Sequence, residues 1–218
     1  AVSTAWKTIA SKGRVESRAQ MQAALHWASV SRGSEVVSLS HVRTFDRSRA
    51  TLTRNGDLIL VAADSEVVLP EQKADGTTVV LQQSGHAIYK VAPRSGGGRF
   101  EVQTPFLVAG VKGTRFSVIL EQDRAAVSVL EGVVEVRSSG TGEAVDVTAG
   151  MVAVVGSGLE RIETYYEAGR ERPNRPDSDR KEGRGKKDSE NSEKPADTSE
   201  IVEPIQVADE PLMESLRT

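Results

Sequence analysis

TPFLVAGVKGTRFSVILEQDRAAVSVLEGVVEV, residues 104–136, decides how the rest of this chain is read. Runs of Val, Ile and Leu are broken by polar residues and short turns, the texture of β-strands. Between the runs stand Thr104-Pro105, the glycines Gly110 and Gly113, Thr114-Arg115-Phe116, and Leu130-Glu131-Gly132. Glycines inside β-branched runs mark bends or close backbone approaches. The segment holds no Cys or His, and its acids are scattered. It specifies a β-fold, not a reaction centre.

Moving outward, residues 1 to about 163 alternate β-like runs with turn signals. Ala50 to Leu60 places two alternating runs around Asn55-Gly56, the strongest two-residue hairpin signal. A further run, Ser65 to Leu69, ends at Pro70, and residues 71–77 read as a turn. The pattern from Trp6 to Val15 is weak; Met21 to Val30 reads as a short helix on its Ala and Leu content or as strand and turn, the latter favoured because Gly13 and Gly33 punctuate it. Residues 80–91, 129–136 and 147–155 share one plan: strand, glycine turn, second strand. Their spacing is unequal, so the chain is no fixed-period solenoid, and the plan predicts successive hairpin-like corners. Arg94 to Arg99, with three glycines at 96–98, reads as a flexible, solvated loop.

These motifs resemble the signature of the FecR domain, a bacterial envelope module. The resemblance rests on Thr104-Pro105, Gly110-Val111, Gly113-Thr114, Phe116, Val118, Val127, Val129-Leu130-Glu131-Gly132, Val134 and Val136. Upstream, Gly13-Arg14-Val15, Trp27, Gly33 and Arg43-Thr44 extend it, so that it reaches from about Trp6 to Ile162. Where the family often has a Gly-Asp pair before its Val-Arg-Thr step, this chain has Leu39-Ser40-His41-Val42, and a different turn is expected there. The resemblance implies an all-β arrangement of twisted sheets with β-helix-like corners. It also implies that Thr104, Pro105, Gly110, Gly113, Thr114, Phe116, Leu130 and Gly132 build the module and do not act for it.

The remaining composition excludes more than it proposes. Of 218 residues, none is Cys, which removes disulfides, thiolate metal sites and Cys nucleophiles. The net charge is only −3, without the clustered Lys and Arg of a nucleic-acid footprint. No apolar run approaches the roughly 18–20 residues that span a bilayer. His26, His41 and His86 stand apart from one another and from any ligand spacing, so they read as surface or half-buried strand residues. Gly110-Val111-Lys112-Gly113 is formally a GxxG, but strands flank it where a KH domain needs helices. No nucleophile elbow, phosphate loop, metal motif or cofactor motif occurs, and the expectation is a non-enzymatic protein without cofactors.

Composition changes after Glu163. Residues 167–200 are almost all charged or helix- and strand-breaking, too polar to offset ordering entropy, and are expected to be disordered. Apolar residues return in 201–218. Ile201, Val202, Ile205 and Val207 alternate in a way that could add a strand to a sheet edge, on this domain or on a partner. The expected organisation is a β-domain over 1–166, a charged linker over 167–200 and a short apolar-containing tail over 201–218. A terminus without a role is the favoured reading of that tail, and a docking segment the alternative.

The first residues, Ala1-Val2-Ser3, lack Met, as after signal-peptide removal or trimming. With the resemblance, this implies export to the periplasm or another extracytoplasmic site. FecR proteins as a family relay signals from outer-membrane receptors to cytoplasmic sigma factors, through an N-terminal helical region and one membrane helix. Neither occurs in these 218 residues, so direct sigma-factor contact is not expected of them. The favoured expectation is a scaffold or protein-binding module in a larger envelope assembly, with a signalling relay as the alternative. A carbohydrate- or peptidoglycan-binding module is the third reading. It needs aromatic platforms, and Tyr165-Tyr166 is the only adjacent aromatic pair. A free edge strand would also permit homo-oligomers.

Overall fold

A computed structural model describes residues 5–19, 26–69, 75–94 and 98–167. Among these residues there are seventeen strands and no helix. In chain order they are β1 Trp6–Lys12, β2 Val15–Ala19, β3 Ala28–Ser29, β4 Glu35–Val36, β5 Ser40–Thr44 and β6 Arg49–Arg54. β7 Asp57–Val61, β8 Glu66–Leu69, β9 Thr78–Lys90, β10 Phe100–Gln103, β11 Leu107–Val111 and β12 Arg115–Leu120 follow. The last five are β13 Arg124–Glu131, β14 Val133–Ser138, β15 Ala144–Thr148, β16 Met151–Gly156 and β17 Glu163–Tyr166.

The strands form two sheets. Sheet A runs β4-β1-β6-β7-β9-β12-β13-β16-β17, antiparallel throughout. Sheet B runs β3-β2-β5-β8-β9-β10-β11-β14-β15. Its β9–β10 pair is parallel. The thirteen-residue β9 is the middle strand of both sheets, joining sheet B through its first half and sheet A through its second.

The bend within β9 falls at Gly85, with φ +74°. A Cβ there would sit 2.3 Å from Ser65 Oγ and 2.5 Å from the Asp64 carbonyl oxygen, so only glycine fits. Gly132, φ +86°, makes the same passage between β13 in sheet A and β14 in sheet B. Residues 80–91 are therefore one bent strand, not the hairpin-like corner the sequence suggests. A hairpin glycine and a crossing glycine both need positive φ; the partner strands distinguish them.

Side chains alternate along each strand, and the inward rows of both sheets meet in one core. Trp6, Tyr89, Phe100 and Phe116 are its fully buried aromatics. Phe116 stacks on Tyr89 at 5.2 Å between ring centroids. The Tyr89 hydroxyl donates to Gln82 Oε1 at 3.0 Å, and Gln82 Nε2 donates to the carbonyls of Gly85 and Val118. This satisfied polar chain fixes the bend from inside. Burial pushes the Tyr89 pKa far up, so its hydroxyl stays a donor.

Trp6–Lys12 is a full strand although its pattern reads weakly. Thr8, not an apolar residue, takes the second core position and is fully buried. The Asn55-Gly56 hairpin has φ +53° and +87°, joining β6 to β7 as the dipeptide predicts. Of Met21–Val30, Ala28–Ser29 forms a strand, while 20–25 lie outside the described residues. Of the loop after β9, residues 95–97 lie outside the described residues. Arg94 turns inward, and a Cβ on Gly98 would meet the Gly76 backbone at 2.7 Å. The linker and the tail, from residue 168 on, lie outside the described residues, with the candidates Ile201, Val202, Ile205 and Val207 among them.

Candidate functional site: a layered arginine–aromatic face

Sheet B presents an outward face of charged and aromatic side chains on β2 and β5. In β2, Val15 points inward, while Glu16 and Arg18 point outward. In β5, Ser40, Val42 and Thr44 point inward, while His41 and Arg43 point outward. The antiparallel register sets Glu16 opposite Arg43 and Arg18 opposite His41. Trp27 lies over this pair of strands. The Arg43 guanidinium is 3.6 Å from its ring centroid, and that of Arg18 4.8 Å. His41 meets the same ring edge-on at 6.4 Å. Beyond Arg43 the strip continues to Phe45, over which Arg14 lies at 4.1 Å.

Carboxylates hold the cations in place. Glu16 accepts from Arg43 Nη2 at 2.6 Å and from Arg14 Nε at 2.9 Å. The Arg43 bond, offset by some burial and aided by Arg14, holds the Glu16 carboxyl below the usual range. His41 Nδ1 lies 2.8 Å from Glu66 on β8. The result is alternating planar cations and aromatic rings, pinned from one side. Such groups are ordered before a partner arrives, which reduces the entropy lost on binding. Trp and Arg are also the residue types that most often dominate protein–protein contacts.

No cluster of three or more His, Cys, Asp or Glu among the described residues could hold a metal. His26 is exposed; His41 and His86 are half-buried on β5 and β9. No helix among the described residues is long and apolar enough to cross a membrane.

A second charged cluster lies at the sheet junction. Asp57, 4% exposed, receives Arg94 at 2.5 Å and the Ala92 N–H at 3.1 Å. Arg54 lies 4.5 Å over Trp6. Burial raises the Asp57 pKa against the pull of Arg94, and burial lowers that of Arg54. Together with Asn55, Thr78 and Pro93 these groups line a cleft of about 110 Å³. The Asp57–Arg94 pair ties two segments 37 residues apart, a clamp on the fold.

The motif residues lie away from the Trp27 strip. Thr104 Oγ1 accepts the N–H groups of Phe106 and Leu107, closing the turn in which Pro105 is exposed. Gly110 leaves room for the Arg99 guanidinium, which pairs with Glu135 at 3.4 Å. Gly113 passes against Pro93, and the Thr114 methyl packs where a Cβ on Gly132 would stand. Leu130 is half-buried on β13, and Tyr165 packs against the apolar outer side of sheet A. Arg14, Trp27 and Arg43 are visible in the sequence as motif positions, but Arg18, Glu16 and Phe45 are not singled out by it. The signal was the period-two charge run Arg14, Glu16, Arg18, which places all three on one strand face.

Residues 40–135 match the family model described as FecR protein. Over those residues the chain is consistent with a FecR-family domain. The match begins at β5 and ends within β14, so the upstream motif residues Gly13 to Gly33 lie outside it. The chain shares its fold with two crystal structures, at 1.65 and 2.50 Å, of a "putative anti-sigma factor" from Parabacteroides distasonis ATCC 8503. Each has a TM-score of 0.52 and 21% identity, over 58% of this chain and 59% of theirs. This chain thus spans about three-fifths of their length. No curated protein matches the chain.

Proposed function

We propose that this chain is a protein-binding, regulatory component of a bacterial signalling assembly outside the cytoplasm, and that the Trp27 strip is its contact face. The layered Arg43–Trp27–Arg18 stack carries this reading, since it is an ordered anchor of the kind partners use. The FecR match supports a regulatory role, as does the fold shared with a protein described as an anti-sigma factor. A relay is therefore favoured over a passive scaffold. The test is cross-linked capture from envelope extract of the source organism, with the native chain and with Trp27→Ala/Arg43→Ala. Loss of a specific partner at unchanged circular dichroism is expected. Equal capture of the same partners by both chains refutes the assignment of this face.

A further inference from the structure

The middle of sheet A's outward face is apolar, which the water-facing side of an antiparallel sheet is not. Leu60, Ala62 and Ile88 form one cluster there, and Ala126, Val152 and Val154 another, both separate from the main core. Between them the register places Ser117 and Ser128, giving a row Leu60–Ile88–Ser117–Ser128–Val152 across five strands. Two serines between branched side chains make a shallow trough. Ile88 and Val152 are fully buried, although every described strand lies within the two sheets and none forms a layer over this face. The buried Ser117 hydroxyl has no hydrogen-bond partner among the described residues. Beside the trough, Lys90 stands opposite Arg115, whose guanidinium pairs with Glu131 at 3.2 Å.

We propose that residues 201–218 of the same chain dock in this trough. The segment supplies Ile201, Val202, Ile205, Val207, Leu212 and Leu216, which match the apolar row. It carries four acids, Glu203, Asp209, Glu210 and Glu214, against one base, Arg217, which matches Lys90 on that face. Reach is sufficient. The described chain ends at Glu167, directly after β17, the edge strand of sheet A. Ser117 on β12 is three strands inward, about 15 Å at the usual spacing. A coil of the length of 168–200 reaches on the order of 30 Å. The occupant lies on the face of the sheet and not along its edge, so it needs no ladder pairing.

The chain has no cysteine, so a single Ser117→Cys reports access to the trough without background. In the full chain, maleimide labelling of Ser117→Cys should be slow and independent of protein concentration. Adding Ile205→Asp and Leu212→Asp should raise the rate at least about 10-fold, while Ser31→Cys on an exposed turn labels equally in both backgrounds. Should Ser117→Cys fail to fold, Ser128→Cys in the same row replaces it. In a Ser128→Cys/Val207→Cys chain, oxidation should give an intramolecular disulfide in the monomer. Equal labelling with and without the aspartates overturns the proposal. So does protection that grows with concentration, which would put a second copy on this face.

Discussion

Gly85 bends the one strand that belongs to both sheets, and replacing it by alanine tests that reading. Two penalties add. The backbone at φ +74° costs an L-residue roughly 1–2 kcal/mol. The new Cβ would stand 2.3 Å from Ser65 Oγ, so Ser65 must move. Its hydroxyl accepts the His86 N–H at 2.9 Å and donates to the Ala63 carbonyl at 2.7 Å. Losing both bonds costs about 2 kcal/mol more. Gly85→Ala should therefore destabilise by about 3–4 kcal/mol. Gly142→Ala is the control, with φ +76° and nothing within 4 Å of the new Cβ. It should cost only the backbone part, roughly 1–2 kcal/mol. Urea unfolding followed by tryptophan fluorescence reads both, and at roughly 2–4 °C per kcal/mol the melting temperatures should separate by several degrees. Equal losses would refute the claim that close packing at the bend, beyond backbone conformation, requires glycine at residue 85.

Phe116→Ala should cost about 3–5 kcal/mol, because it empties a fully buried site stacked on Tyr89; a loss below about 1 kcal/mol in urea unfolding contradicts that packing. Leu39 and Arg47 carry φ +61° and +53°, and since the Arg47 side chain is exposed, Arg47→Gly should relieve roughly 1–2 kcal/mol of strain. About half of that gain is offset by the freer unfolded chain, leaving a small rise in melting temperature; a fall refutes it. Acid should loosen the Trp27 strip. The folded pKa of Glu16 lies below its ordinary value of 4.5, so its contribution is present above about that pH and is lost as pH falls through the folded value. In a Trp6→Phe background, the remaining Trp27 emission should change in that acid range, and Glu16→Gln should show the changed emission already at neutral pH. A native-like, pH-invariant Glu16→Gln signal would separate Glu16 from the ordering of the strip.

Local chemistry was legible in the sequence, and strand partnership was not. Asn55-Gly56 announces its hairpin because both residues tolerate positive φ and the flanking runs alternate. Residues 104–136 announce their strands for the same kind of reason. Val80 to Val91 misled, because the glycine is real but the chain continues into a second sheet, where its partners lie on β7 and β12. Trp6–Lys12 was hard to see because Thr8 occupies a core position. The Trp27 strip draws its cations from residues 14, 18 and 43, which only the β2–β5 register brings together. Leu39 reads as an ordinary apolar residue, and nothing in its identity announces a left-handed backbone.

The central place of β9 also determines how the molecule would yield to force. β1 and β17 lie near opposite margins of sheet A, with β4 beyond β1. A load drawn between the two ends of the described chain would act first on those margins, where bonds break singly in an unzipping order. Each sheet would shed strands toward the middle, and the shared strand would be the last to lose its neighbours. Tension would thus strip the periphery before it separated the two sheets, and a stretched molecule would keep its bent centre while giving up its rims.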